Sequence, residues 1–428
     1  MTKPQSIFIT NARIFDGERL LDERSLTIEG ERILELGRPA PAGADVVDAR
    51  GGTLLPGLID AHTHADLESR RMALTFGVTT VCIMQGYWTK QQKQAAEQRR
   101  DLADALSSLM ALSAPLGHPH EIMPKGVAPK IPEGIDPSEF IKFASTPDEA
   151  RRIIAKRVEQ GADYIKVMIE DGAVFGKPGT PDLTDDVLTF ACSEAHRVGK
   201  MVVAHTMSVK ATTRAVAAGV DGLMHVFVDQ PHTPELIAAI AASGAFMCPT
   251  VVAGASTIGD SDAGEFAKDE RVRARLTDEW YAAMSRHIAT CHRGKTQYLL
   301  EAVKALHDAG VDIVAGADAS IPGIGGMAHG ASLHHELQLL VRAGLTPIEA
   351  LRAATSVPAR RFGMSDRGRI FPGGRADLVL VRGNPTENIA DTLSTEAVWR
   401  QGVRLQHRHP ERRCNQELGG DLPRKGYR

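Results

Sequence analysis

The chain has 428 residues, 43% of them apolar, which is enough for a core domain of about 300 residues and a smaller unit beside it. A formal net charge of −3 gives no basic field for nucleic acid or an acidic membrane surface, and aromatic residues at 5% are too sparse for base stacking. No run of about 18 apolar residues is available to span a bilayer.

The first residues break into short strand-like pieces, SIFITNARIF, RSLTIEG and ERILELG, separated by DG and EGE turn signals. Near the far end, GRIFPGGRADLVLVRG and AVWRQGVRL have the same texture, and neither end alone supplies enough strands for a stable sheet. Residues 1–55 and 367–408 are therefore expected to fold together as a composite β-sandwich, with 409–428 as a tail of no assigned structure. The N-terminus lacks the long apolar stretch and small-residue cleavage site of a signal peptide. Five cysteines, Cys82, Cys192, Cys248, Cys291 and Cys414, are odd in number, scattered and without CxxC spacing, which predicts reduced thiols in a cytoplasmic protein.

Between the ends, residues 56–366 alternate apolar strands with helical segments. Eight strands are expected, at LPGLIDAH, VTTVCIM, LMALSA, DYIKVM, MVVAHT, GLMHVF, FMCPTVVA and DIVAGAD. Helices such as TPDEARRIIAKRVEQG, SVKATTRAVAAG and TPELIAAIAASG open on Ser or Thr and close on Gly. Eight such units predict an α/β fold of the (β/α)8 TIM-barrel type, and no glycine-rich nucleotide fingerprint supports an open doubly wound sheet instead. A charged, helix-prone insertion at about 254–298 follows the seventh strand.

In such a barrel the C-terminal ends of the strands line the active site, and here those positions share one chemistry. His62 and His64 end strand one and fall on the same face, Lys166 lies in strand four, His205 ends strand five, His225 lies in strand six and Asp318 ends strand eight. Four imidazoles and a carboxylate suit a borderline divalent cation such as zinc, and they exceed what one open catalytic site requires. Two cations fit better. A buried Lys166 with a lowered pKa would then add carbon dioxide as an N6-carboxylate whose two oxygens bridge them. No GxSxG elbow or Cys–His pairing suggests a nucleophilic side chain in place of water.

The motifs PGLIDAHTH, GADYIKVM, VVAHT, GVDGLMHVF, VAGAD, HGASLHHELQLLVRAGLTPIEALRAAT and GRIFPGGRADLVLV resemble the amidohydrolase superfamily. The likeness is to its binuclear branch, imidazolonepropionase-like in sequence, with prolidase, Xaa-Arg dipeptidase and ochratoxin amidase relatives. It implies His62, His64 and Asp318 on one cation, His205 and His225 on the other, and carboxylated Lys166 between them. It also implies Asp318 as proton shuttle and a third-strand-loop histidine, His118 before His120, facing the substrate carbonyl. Tyr164, Glu170, Asp171 and His329 are further candidates for substrate contact. Two departures stand out: IEDG follows Lys166 where relatives are often glycine-rich, and Met224 precedes His225 where many have Glu.

The expected activity is hydrolysis of an amide or peptide-like bond, in a dipeptide, N-acyl amino acid or aryl amide, by a metal-bridging hydroxide. A mononuclear deaminase or cyclic-amide hydrolase is the alternative, and a non-catalytic barrel for binding or assembly is the alternative of another class. The expected partner is a small-molecule or dipeptide substrate, with no nucleic acid and no membrane, and a homo-oligomer is the expected assembly.

Overall fold

Short β-rich pieces at both ends flank alternating strands and helices, and the computed structural model describes residues 6–122 and 143–406 of this arrangement. The proposed tail and Cys414 lie outside the described residues. Six strands open the chain: β1 (Ser6–Thr10), β2 (Arg13–Ile14), β3 (Leu26–Glu29), β4 (Arg32–Leu36), β5 (Asp45–Asp48) and β6 (Thr53–Pro56). Seven follow in the alternating region: β7 (Leu58–Thr63), β8 (Val78–Ile83), β9 (Asp104–Ser107), β10 (Ile165–Met168), β11 (Val202–His205), β12 (Gly222–Met224) and β13 (Phe246–Cys248). The last are β14 (Leu378–Val381), β15 (Thr395–Arg400) and β16 (Val403–Arg404).

The two ends interleave. One sheet has the order β4-β3-β1-β5, and the other, β16-β15-β14-β6-β2, draws strands from both ends of the chain. In the second, β14 runs antiparallel to both β6 and β15, with Leu378 opposite Pro56 and Trp399. Ile9, Ile14, Ile28 and Leu54 from the first end pack with Leu378, Leu380 and Trp399 from the other in one apolar cluster. A buried charge network ties this unit to the central strands: Arg367, Arg375 and Arg400 surround the Asp104 carboxylate at the start of β9, and Arg375 and Arg400 also reach Asp377. Burial alone would raise the Asp104 pKa, but the three guanidinium groups hold it well below the usual carboxylate range.

The central strands form two parallel sheets, β7-β8-β9 and β10-β11-β12-β13, in an α/β arrangement. Backbone hydrogen bonds link their edges. Leu112 N–H donates to Lys166 O at 2.8 Å and Met168 N–H returns to Leu112 O at 2.9 Å. At the other edge, Val314 N–H donates to Met247 O at 2.9 Å, Asp318 N–H to His62 O at 2.8 Å, and His64 N–H to Ala319 O at 2.8 Å.

Two expected strands are therefore displaced or irregular. The regular third strand is Asp104–Ser107, ahead of LMALSA, where Leu109 takes a positive φ of 57° and only isolated bridges follow. The eighth segment, DIVAGAD, pairs through a bridge at Ile313, with a second at Ala319 just beyond it, and carries Asp318 at φ 53°, outside extended geometry. Gly316 lets this segment run against β7, since a Cβ there would stand 2.7 Å from His62 Cβ.

The helices follow their end signals. Pro147–Gln160 has a reciprocal Thr146/Glu149 capping box and ends on left-handed Gly161, while Val209–Ala218 and Pro234–Ser243 are capped by Ser208 and Thr233 and close on Gly219 and Gly244. The insertion folds as short helices, Ala263–Phe266, Glu270–Arg273 and Asp278–Met284, after a helix Val251–Ile258 that starts ahead of it. No helix among the described residues is long and apolar enough to cross a membrane.

Candidate metal centre

Strand ends converge as the alternation of parallel strands requires. His62 and His64 share a face of β7, and each places Nε2 close to Asp318 Oδ1, at 3.2 and 3.1 Å. One potential ligand atom from each of the three lies within 4.8 Å of the others. His205 is the last residue of β11, opposite Met168 and Met224 in register, and His225 follows directly on β12 with a positive φ of 83°. The rings form a continuous row: His62 lies 5.7 Å from His64 and 4.6 Å from His225, and His225 lies 4.6 Å from His205, centroid to centroid. Asp318 sits beside this row. Burial pushes its pKa up, but His62 and the ring hydrogen bonds of His62 and His64 outweigh that and hold it well below the ordinary carboxylate value.

Several buried polar atoms here have no hydrogen-bond partner among the described residues: His62 Nδ1, Lys166 Nζ, Glu170 Oε2 and His205 Nε2. Unpartnered buried polar groups are rare, because each loses its hydration for nothing, and several among neighbouring strand ends indicate a missing partner. Burial drives the Lys166 pKa down to about 7 and keeps His205 and His225 well below the usual imidazole value, so the two imidazoles are neutral and the Asp318 oxygen is anionic. Neutral imidazole and carboxylate donors are what a divalent cation binds, so the residues fit such an ion.

The remaining candidates are divided by position. His118 is buried, stacks on His205 at 4.2 Å and on Phe175 at 5.0 Å, and has Nδ1 2.6 Å from Glu121 Oε1. His120 is exposed in a short turn, His120–Ile122, away from this stack. Glu170 is buried, with Oε1 accepting from Gly172 N–H at 2.9 Å and Oε2 3.7 Å from His205 Nε2. Three candidates are used elsewhere. Asp171 faces outward to Lys210 at 3.0 Å. Tyr164 is packed in the core against Phe362 and donates its hydroxyl to Ile83 O at 2.8 Å. His329 has both ring nitrogens occupied, by Thr63 Oγ1 at 3.0 Å and Ser320 O at 2.8 Å, with Trp280 of the insertion edge-on to its ring.

Sequence reasoning missed the groups that orient the ligands. Asp60 Oδ1 accepts from His62 N–H and Ala317 N–H, fixing β7 against the Asp318 segment. Thr250 Oγ1 lies 2.7 Å from His225 Nδ1, and Thr250 is itself strained, at φ 44°. The Glu336 carboxylate holds that strain by accepting from Val251 N–H and Val252 N–H, both at 2.9 Å. An outer group that fixes a ligand ring typically contributes about 10–100-fold to metal affinity, so Thr250→Val is expected to weaken metal binding by that factor without changing far-UV circular dichroism. Competition with a chromophoric chelator measures it.

The amidohydrolase family model matches residues 53–405, most of the chain. Imidazolonepropionase of Deinococcus deserti is 26% identical over 92% of this chain and 93% of its own length. Ochratoxinase of Aspergillus niger is 26% identical over 60% of this chain and 48% of its own length. A Xaa-Pro dipeptidase crystallised with methionine in its active site shares the fold, with a TM-score of 0.72 at 22% identity over 94% of this chain and all of that one. A putative prolidase from Bifidobacterium longum does likewise, with a TM-score of 0.70 at 24% identity over 96% and 97%. The extent of the family match, joined to the row of strand-end histidines and Asp318, makes this chain a member of the amidohydrolase family.

Proposed function

We propose that the protein hydrolyses an amide or peptide-like bond in a small substrate, a dipeptide, N-acyl amino acid or aryl amide. The observation carrying this reading is the convergence of His62 and His64 on Asp318, with the unpartnered Lys166 Nζ and His205 Nε2 acting on the same carboxylate. The hydrogen bonds joining the two parallel sheets support a (β/α)8 barrel, and the interleaved ends support a composite β-sandwich beside it.

His62, His64 and Asp318 would hold one divalent cation, zinc by donor type, and His205 and His225 a second, with Lys166 as a carbamate between them. Such cations supply a Lewis acid for a carbonyl oxygen and lower the pKa of water. Asp318 is the residue to take a proton from the attacking water and return it to the leaving nitrogen, because its carboxylate lies against His62 and His64 and stays anionic. His118 is placed to donate to the developing oxyanion, its ring fixed by Glu121 and the stack on His205.

Metal-loaded protein screened against dipeptides, N-acyl amino acids and aryl amides is expected to release amine from at least one class, with two cations per chain by elemental analysis. One cation per chain, with activity confined to cyclic amides or amines, would replace this reading by the mononuclear one. The compact group of His62, His64 and Asp318 is the observation that favours that second reading.

A further inference from the structure

Beyond Asp318 the chain leaves extended geometry and passes through Ser320, Gly323, Gly325 and Gly326, so its own backbone gives the carboxylate little rigidity on that side. A side chain further along supplies it. His329 is buried, and its ring nitrogens reach two different elements: Nδ1 lies 3.0 Å from Thr63 Oγ1 on β7, and Nε2 lies 2.8 Å from Ser320 O. Thr63 stands between His62 and His64, and Ser320 follows Asp318 by two positions. One imidazole therefore ties the strand carrying two histidines of the site to the segment carrying its carboxylate.

The direction of each bond follows from the groups involved. Ser320 O can only accept, so Nε2 carries a hydrogen. Burial pushes the His329 pKa down to about 4, which leaves Nδ1 with a lone pair near neutrality. The Thr63 hydroxyl donates to it. Ala319 O, the other acceptor within reach of that hydroxyl at 3.0 Å, is already served by His64 N–H at 2.8 Å.

The ring is also seated from outside. Gly330, at φ 74°, lets the chain close on the helix Leu67–Thr75, where a Cβ would stand 2.9 Å from Ala73 Cα. Trp280 of the insertion meets the ring edge-on, 5.2 Å between centroids. The loop between Ser320 and His329 is gripped from the same direction, with Gly326 N–H donating to Ala283 O and Ser256 Oγ to Gly325 O, both at 2.9 Å.

We propose that His329 is a positioning residue that sets the spacing of His62 and His64 from Asp318 through Thr63 and Ser320, and that Trp280 of the insertion holds it in place. This rests on the reading of His62, His64 and Asp318 as holders of a cation. It replaces the substrate contact expected of His329 from the sequence and makes the insertion a brace for the site.

The test titrates metal-free wild type, His329→Leu, His329→Asn and Trp280→Leu with Zn²⁺ against a chromophoric chelator and with Co²⁺ followed by visible absorption, and measures kcat and KM on an amide the wild type hydrolyses. His329→Leu, which loses both bonds, should lose about 10–100-fold in affinity in at least one binding step, change the cobalt spectrum and lower kcat with KM nearly unmoved. His329→Asn can still accept the Thr63 hydroxyl and should recover part of the loss. Trp280→Leu should move the same quantities the same way by less. In metal-free protein labelled with ¹⁵N-histidine, the signals missing from His329→Leu should be those of a neutral Nε2–H ring with Nδ1 accepting, and matching far-UV circular dichroism separates mispositioning from misfolding.

Unchanged affinities and cobalt spectra in His329→Leu, in a wild type that binds metal, would overturn the proposal alone, and a raised KM beside them would return His329 to substrate contact. A protonated ring or an Nδ1–H tautomer would overturn it as well. A wild type that binds no cation would overturn the reading of the site and this proposal together.

Discussion

If the proposed carbamate bridge forms, Lys166→Met is expected to lower kcat on the order of a thousandfold or more and to leave at most one cation per chain. The buried Nζ has no hydrogen-bond partner among the described residues and no carboxylate at ion-pair distance, although Asp318 acts on it through space. Formation of the carbamate joins the amine nitrogen to the carbon of carbon dioxide and releases a proton, so it requires the neutral amine. With its pKa pushed down to about 7 by burial, about half of the Lys166 amines are neutral at pH 7, against far fewer than one in a hundred for an exposed lysine. Reconstitution of metal-free protein with cation and bicarbonate should therefore rise as pH increases through about 7 and decline progressively below it.

Incorporation of ¹³C-labelled bicarbonate, followed by NMR, gives the direct readout. The same substitution should raise the melting temperature of the metal-free protein, because an apolar chain replaces an unpartnered buried amine. A lysine with a purely structural role would give the opposite: lower stability, unchanged metal content and no labelled carbon.

Asp318→Asn is the second large effect. Removing a positioned proton carrier typically lowers rates by about 10²–10⁴-fold, and the upper end is expected here because one carboxylate would serve both the water and the leaving nitrogen. Asparagine also tolerates the left-handed backbone at this position, φ 53°, so the fold should persist. The amide keeps an oxygen for metal binding, and much of the metal should remain. Single-turnover kinetics would separate the chemical step from binding. Turnover close to wild type would remove Asp318 from proton transfer.

The family, the α/β alternation and the converging histidines were legible because alternation, end caps and strand-end residues are local signals. Depth was not. Tyr164 and Lys166 share a strand face by the two-residue period, yet Tyr164 lies one layer down against Phe362, which only the packing of distant segments decides. Asp171 and Glu170 are neighbours in sequence with opposite fates, one paired outward with Lys210 and one buried against His205, because successive residues there turn to opposite sides. LMALSA is apolar enough to read as the third strand, whereas the ladder itself runs earlier, through the more polar DALS. Glu121, Thr250 and Glu336 were invisible in one dimension, since each acts on a residue brought to it by a turn, a strained cap or a distant helix.

The interleaving of the two ends constrains how the chain is built. Strand β6 emerges early in synthesis but must wait for β14, encoded near the other extremity, before its ladder is complete. Until then its hydrogen-bonding edge and apolar neighbours are open to mispairing with other nascent chains. A truncation ahead of β14 would thus leave the opening strands without their partner as well as shortening the tail end, and such fragments should collect as aggregates while the full-length product stays dispersed.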